Sequence, residues 1–152
     1  MKKVVYLLFA AIAACLIIAG CNQKEDIVSG SVIGQWRLQK ATEYYYEDNK
    51  LGAETTVYSS NNNTVFFEFR ADGTYSMLLT VDGEAAIPET GTYTKIADKI
   101  VTVSGEGKSA RTQTYTIESI TNSTMVLVSE ESVVENGITK KQIEKAIFEK
   151  IG

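Results

Sequence analysis

From Ile33 onward, apolar and polar residues alternate with a period of two rather than 3.6. The alternating segments are rich in Thr, Tyr, Val, Ile and Phe, which favour extended backbone. Because successive strand residues point to opposite faces, this pattern predicts strands that are buried on one face. Turn signals separate the segments at short intervals. The sequence therefore predicts an all-β domain, an antiparallel up-and-down meander of about eight strands.

The first predicted strand is the longest and runs from Gln35 to Glu47. Counting by two places these residues on one of its faces: Trp36, Leu38, Thr42, Tyr44 and Tyr46. A polar, turn-rich stretch from 48 to 63 follows, in which residues 55–58 form at most a short strand. Later turns are predicted where Gly, Asn and Asp cluster, since these residues accept tight-turn backbone: Asp72-Gly73, Asp82-Gly83, Asn122-Ser123 and Asn136-Gly137.

The last segment, residues 142–151, fits two structures. Ile143, Ile147 and Ile151 fit one face of a helix, whereas the alternation of Ile143 and Ile147 with Ala146 and Phe148 fits a strand. The all-β context and the preceding Asn-Gly turn favour the strand. A meander of this kind removes its exposed edges by closing into a barrel. An eight-stranded barrel is either filled with side chains or holds one small ligand.

The N-terminus has the form of a secretory signal. Lys2 and Lys3 precede an apolar run from 4 to 19. The alternative is a transmembrane anchor, for which the run is short, since a span needs about 20 apolar residues. The end of the run, Ile18-Ala19-Gly20-Cys21, resembles the lipobox of bacterial lipoproteins. This resemblance implies that residues 1–20 are removed and that Cys21, acylated by chains such as palmitate, becomes the N-terminus.

The lipobox divides the chain into three parts: a signal peptide (1–20), a lipidated polar tether (21–31) and a barrel domain (32–152). Two or more lipid chains would hold the protein on a bilayer without spanning it. Residues 23–26, Gln-Lys-Glu-Asp, resemble a short export signal of surface lipoproteins in one Gram-negative phylum. Position 22 is Asn rather than the Asp that typically retains lipoproteins at the inner membrane. We expect the outer membrane, with the domain at the cell surface or otherwise facing the periplasm.

Several kinds of chemistry are excluded by composition. The chain has no histidine, which removes the commonest general base and metal ligand. The second cysteine, Cys15, lies in the removed segment, so the mature chain forms no internal disulfide. Without Lys2 and Lys3, 13 basic residues face 19 acidic ones, a net charge of about −6 that argues against nucleic-acid binding. We expect no metal, no cofactor and no enzymatic activity; Glu68, a conceivable catalytic carboxylate, is predicted on the solvent face of its strand.

Three motifs in order point to a family. Gly34-Gln35-Trp36 resembles the G-x-W motif of lipocalin and lipocalin-like barrels, in which the tryptophan closes one end. Residues 67–75 and 91–93 are similar to the F-x-F-x-x-D-G-T-Y and G-T-Y segments of lipocalin-like domains on bacterial lipoproteins. The T-D-Y motif of classical lipocalins is missing, as is the arginine that packs over their tryptophan; the lysines near the end have no guanidinium plane to stack. The resemblance is therefore to the bacterial group.

The resemblance implies a lipocalin-like barrel with Gly34 and Trp36 as a structural plug. Its interior is then the candidate site for a small apolar ligand, with these residues as its candidate lining: Tyr44, Tyr46, Phe67, Phe69, Tyr75, Met77 and Tyr93. Because Tyr44, Tyr45 and Tyr46 alternate in direction, at least one of them points outward and suits a partner contact. The alternative is a filled barrel that serves as a structural or interaction lipoprotein, for example an envelope accessory or an inhibitor. An interior cavity of about 300 Å³ or more would support ligand binding, whereas an interior filled by these side chains would support the structural role.

Overall fold

The computed structural model describes residues 30–85 and 88–152. The predicted signal peptide, Cys21 and most of the tether lie outside the described residues. No helix in the described part of the chain has the length and apolar character needed to cross a membrane. The described residues form ten strands and a short 3-10 turn at Gly107–Ser109. The strands are β1 (Gly34–Glu47), β2 (Lys50–Tyr58), β3 (Thr64–Phe69), β4 (Thr74–Val81), β5 (Glu84–Ala85), β6 (Glu89–Ile96), β7 (Lys99–Ser104), β8 (Arg111–Ile120), β9 (Thr124–Glu135) and β10 (Ile138–Lys150).

Eight of these strands close into an antiparallel barrel. The order β1-β3-β4-β6-β7-β8-β9-β10 is completed by pairing of β10 with β1 from Trp36 to Glu47. The two other strands are additions, since β2 pairs with the far half of β1 and β5 forms a two-residue hairpin with β4. The predicted all-β barrel is confirmed, and the ambiguous last segment is a strand.

The stretch predicted as a long loop after β1 is mostly strand. β2 pairs with β1 from Lys50 to Tyr58, well beyond the short strand expected at 55–58. Asp48 and Asn49 both have positive φ, so these two residues alone make the hairpin turn. This turn contains no glycine, so it lacks the Asn-Gly or Asp-Gly pair by which a hairpin is usually predicted.

A β-bulge in β1 changes which residues face the interior. Leu38 pairs with Phe148 and Lys40 with Ile147, so Gln39 is an extra residue in the ladder. Directly paired residues share a face, and β10 turns Phe148, Ala146 and Glu144 inward. Beyond the bulge their partners in β1 are Ala41, opposite Ala146, and Glu43, opposite Glu144. The prediction that Tyr44 and Tyr46 share the face of Trp36 is wrong, because the bulge shifts the alternation by one.

The core is concentrated at one end of the barrel, which we call the closed end; it contains the start of β1 and the end of β10. Its buried apolar side chains form one cluster: Val32, Trp36, Phe67, Phe69, Tyr75, Ile100, Ile117, Ile120, Met125, Leu127, Ala146 and Phe148. The turn between β3 and β4 also lies here and forms as predicted. Asp72 accepts hydrogen bonds from the Thr74 amide (2.9 Å) and hydroxyl (2.7 Å), and Gly73 has a φ of 82°.

Trp36 closes this end and is completely buried. Its indole N–H donates to the Val32 carbonyl at 2.7 Å, so its one polar atom is satisfied. The ammonium nitrogen of Lys150 lies 5.4 Å from the ring centroid, in the range of a cation–π interaction. A lysine, rather than an arginine, therefore covers the tryptophan. Gly34 allows this packing, since a Cβ there would lie 2.6 Å from Lys150 Cε.

Candidate functional site

The barrel interior is not filled toward the other end, which we call the open end. A cavity of about 220 Å³, the inner cavity, begins above the ring of Phe67. It is lined by Leu38, Val65, Phe67, Met77, Gln113, Tyr115, Leu127, Ser129, Glu144, Ala146 and Phe148. At roughly 30 Å³ per water molecule, this volume holds about seven water-sized groups. This volume is below the roughly 300 Å³ set as the criterion for ligand binding, so the inner cavity alone holds only a small ligand, such as a short alkyl chain or one ring system.

The wall of the barrel opens beside this cavity. β8 and β9 pair only between residues 116–120 and 125–128, and their other halves separate. The gap contains an outer cavity of about 370 Å³. It is lined by Thr112, Gln113, Thr114, Tyr115, Ser129, Glu130, Glu131, Gln142 and Glu144. Four residues line both cavities: Gln113, Tyr115, Ser129 and Glu144. The inner cavity is thus reached through a polar entrance.

The inner cavity combines an apolar floor with a few polar groups at its entrance. The ring of Phe67 meets those of Phe148 (5.6 Å between centroids) and Tyr115 (6.0 Å), both edge-on. The Tyr115 hydroxyl donates to Gln113 Oε1 at 2.7 Å. Burial raises the pKa of Tyr115, and nearby carboxylates add to the effect, so the phenol stays neutral. An apolar pocket with a few oriented polar groups is typical of small-molecule sites.

The charged groups at this entrance are acidic. Burial raises the pKa of Glu144, and the charges of Glu43 and Glu131 raise it further. Glu43 lies directly opposite Glu144 in the β1–β10 ladder and accepts a hydrogen bond of 2.5 Å from the Tyr45 hydroxyl. Within residues 30–85 and 88–152, the acidic side chains form no group arranged to hold a metal ion. The entrance is therefore an acidic surface next to an apolar cavity.

Of the seven residues predicted to line a ligand cavity, two do so: Phe67 and Met77. Phe69, Tyr75 and Tyr93 instead pack together at the closed end, with the Phe69 centroid 6.3 Å from that of Tyr75 and 5.0 Å from that of Tyr93. Both tyrosine hydroxyls are hydrogen-bonded within the protein: Tyr75 donates to Glu89, and Tyr93 donates to the Arg70 carbonyl. They occupy the space where a ligand was expected.

The two remaining predicted residues, Tyr44 and Tyr46, lie on the outer side of the ladder. Tyr44 pairs with Ile143, and Tyr46 with Lys141, on the opposite face of β10 from Glu144. Tyr46 does line a surface depression of about 330 Å³ near the β9–β10 hairpin, together with Tyr45. Tyr44 and Tyr46 therefore belong to the outside of the open end.

The polar residues of the entrance were not predicted from the sequence. Glu144 could have been found, because it continues the alternation of Phe148 and Ala146 once the last segment is taken as a strand. Gln113 similarly shares a face with Tyr115. No sequence pattern identifies Ser129 as a cavity residue, because its position at the entrance depends on the gap between β8 and β9.

A family model described as a lipocalin-like domain matches residues 32–127, more than half of the chain. A lipocalin-like protein from Bacteroides uniformis is 21% identical with a TM-score of 0.47, and a protein from Bacteroides eggerthii is 19% identical with a TM-score of 0.47. Each alignment covers 80% of this chain and 100% of the other. No protein of curated function matches the sequence. The match over residues 32–127 shows that this chain belongs to the lipocalin-like domain family.

Proposed function

We propose that the protein binds a small apolar ligand in the inner cavity of its barrel, while anchored to the outer membrane by lipid on Cys21. The observation that supports binding is the unfilled, largely apolar space between Leu38, Val65 and Met77. Well-packed interiors leave few voids larger than a water molecule, so a space of about 220 Å³ with an entrance suggests an occupant. Lipocalin-like proteins are generally not enzymes, and the proposed role is binding rather than catalysis.

Titration with the neutral probe N-phenyl-1-naphthylamine tests the binding proposal. Trp36 is the only tryptophan, so energy transfer from Trp36 to the probe reports binding to this domain, and the cavity variant below locates it. Val65→Phe should fill part of the inner cavity and weaken binding by roughly tenfold or more, since single misfitting groups in apolar pockets change affinity by about 10–200-fold. Val103→Phe is the control, because Val103 is exposed on the outer face of β7. Equal binding by both variants, or no binding by the unchanged protein, would contradict the proposal.

The anchoring proposal rests on the lipobox and has its own test. Cys21→Ser should abolish incorporation of radioactive palmitate and leave an uncut precursor. Residues 12–15 also place two small residues before a cysteine, so Cys15→Ser is the matched control and should leave acylation unchanged. Acylation that persists in Cys21→Ser would refute Cys21 as the lipid-bearing residue, and absence of acylation in the unchanged protein would refute the lipid anchor. Protease treatment of intact cells then separates surface display, in which the domain is digested, from a periplasm-facing domain, which is protected.

A second function is favoured by the open end of the barrel. There β9, β10, β1 and β2 continue beyond the barrel as a four-stranded ribbon with exposed apolar side chains: Leu51, Val57, Tyr58, Val133 and Val134. Adjacent strand residues point to opposite faces, so these apolar side chains are exposed on both faces of the ribbon and are available for contact with a partner. A structural or interaction lipoprotein would use this ribbon. Affinity purification from solubilised membranes should then return a stoichiometric partner that Tyr58→Ser loses and Val65→Phe keeps.

A further inference from the structure

Among the residues that the structure describes, Glu144 is the one carboxylate that lines both cavities. It follows Phe148 and Ala146 along the inner face of β10, so it stands where the apolar floor meets the polar entrance. Its partner in the adjacent strand β9 is Ser129, whose hydroxyl also lines both cavities. A ligand whose apolar body fills the inner cavity would therefore place its polar end beside this carboxylate.

Among the described residues, Glu144 has no cationic partner, and neither do Glu43 and Glu131 beside it, whereas three other carboxylates near this ladder are paired. Glu149 pairs with Arg37, Glu118 with Lys145 (2.5 Å) and Glu130 with Lys141 (2.9 Å). Within the described ranges, the carboxylate of Glu144 forms neither an ion pair nor a hydrogen bond with another side chain. A half-buried carboxylate that lacks a partner is costly, so the position favours a bound group that supplies hydrogen bonds and positive charge.

The groups around Glu144 would repel an anion. Glu43 faces it from β1 and Glu131 from β9, and Tyr115 on β8 is neutral. Among the described residues, no lysine or arginine lines either cavity. Arg111 shares the inner face of β8 by register, but it is exposed at the outermost position of the ladder. The entrance thus carries uncompensated negative charge beside the apolar floor.

We propose that the ligand is a cationic amphiphile, with an alkyl or aromatic body in the inner cavity and an ammonium group bound by Glu144. This inference rests on the proposed binding function and adds the charge class of the ligand. An ammonium has three N–H donors, and hydrogen bonds between ions are shorter and about twice as strong as neutral ones. Glu144 accepts one donor, and the hydroxyl oxygens of Ser129 and Tyr115 provide further acceptors. A fatty acid of equal length would place its carboxylate among three others.

A matched series of ligands tests this proposal: n-octylammonium, 1-octanol and octanoate share one chain and differ in charge. The amine is protonated at pH 7, since alkylammonium groups have a pKa of about 10.4. Isothermal titration at pH 7 and low salt should rank octylammonium tightest and octanoate weakest. We expect at least about a tenfold difference between the two ions, because the carboxylate attracts one and repels the other at a partly desolvated site.

Two variants assign the preference to Glu144. Glu144→Gln keeps the side-chain size and should bring the affinities of the two ions to within about threefold, whereas Glu144→Lys should make octanoate the tighter ligand. Glu118→Gln changes the net charge equally but acts on the outer surface, and it should keep the original ranking. Circular dichroism melts establish that each variant is folded.

The outcomes separate this inference from the function on which it rests. Equal binding of the three compounds, tighter binding of octanoate, or an unchanged ranking in Glu144→Gln would refute the cationic ligand and leave the apolar cavity as a binding site. Failure of both the naphthylamine probe and the octyl series to bind would refute the cavity function itself.

Discussion

The two ends of this barrel are formed by largely the same strands but differ in how deeply their side chains are buried. At the closed end, Trp36, Phe69 and Tyr75 are at most 1% exposed, and their polar atoms are hydrogen-bonded. At the open end, every residue of β2 and every residue from Glu130 to Lys140 in the β9–β10 hairpin is exposed. The closed end therefore supplies most of the buried apolar surface that stabilises the fold.

The difference indicates that stability and binding are separated along the barrel axis. The apolar cluster of the closed end extends to Phe67 and Phe148, whose rings also form the floor of the inner cavity. Beyond that floor the strands carry polar and acidic side chains into the interior. Substitutions near the plug should thus change stability, and substitutions near the entrance should change binding.

The largest effect is expected from Trp36→Ala. Deleting a large, fully buried aromatic side chain costs about 3–5 kcal/mol, a large share of the roughly 5–15 kcal/mol that keeps a domain folded. Chemical denaturation followed by circular dichroism measures the loss. Tyr58→Ala, at a side chain that is 70% exposed on β2, is the matched aromatic control and should change stability by less than about 0.5 kcal/mol. A cost below about 1 kcal/mol for Trp36→Ala would contradict its role as the plug.

A smaller effect is expected from adding one methyl group to a strand glycine. A Cβ at Gly91 would lie 2.0 Å from the Val103 carbonyl oxygen and 2.9 Å from Tyr75 Cε1, so the backbone of β7 must move. Gly91→Ala should cost about 1–3 kcal/mol, the usual range for overpacking. At Gly52 in β2 the nearest atom would be 3.7 Å away, so Gly52→Ala should be neutral or stabilising by up to about 1 kcal/mol. Equal effects in thermal melts would mean that the two ends are packed alike.

The barrel fold and its closed end could be predicted from the sequence alone. Period-two alternation and the Asp72-Gly73 turn predicted the barrel, because both depend on neighbours along the chain. The G-T-Y segment is explained by the close approach at Gly91, and the G-x-W segment by the burial of Trp36. Requirements of this kind act on single residues and their neighbours along the chain, so they can be recognised in the sequence.

The candidate site depended on features without such a trace. Simple alternation cannot show a bulge, and the extra residue at Gln39 reversed the faces of Tyr44 and Tyr46. Aromatic residues were expected to mark a ligand cavity, but Phe69 and Tyr75 fill the core instead. The space left empty depends on where strands from distant parts of the chain separate, as β8 and β9 do beyond Thr116.

The third prediction concerns pH and Glu144. Because its folded pKa is raised above the unfolded value by burial, Glu43 and Glu131, the folded state favours the protonated carboxyl. The stabilisation from this group is complete below the unfolded pKa of about 4.3 and is lost as pH rises through the folded pKa. Glu144→Gln should therefore be more stable than the unchanged protein at pH 7, and the two should converge as pH falls below about 4. Denaturation midpoints at several pH values measure this; a variant less stable at pH 7 would contradict the unpaired state of Glu144.

The smallest effect is expected at the tip of the open end. Val134 is 69% exposed in β9, so Val134→Thr keeps the shape and strand preference of the side chain and should change stability by less than about 0.5 kcal/mol. The same substitution at Val32, which is 4% exposed and whose carbonyl accepts from Trp36, would place a hydroxyl in the closed end and should cost about 1–3 kcal/mol. A loss above about 1 kcal/mol for Val134→Thr would mean that the ribbon is covered in solution. Repeating the measurement at several protein concentrations would then identify a second copy as the cover, because only self-association makes the apparent stability depend on concentration.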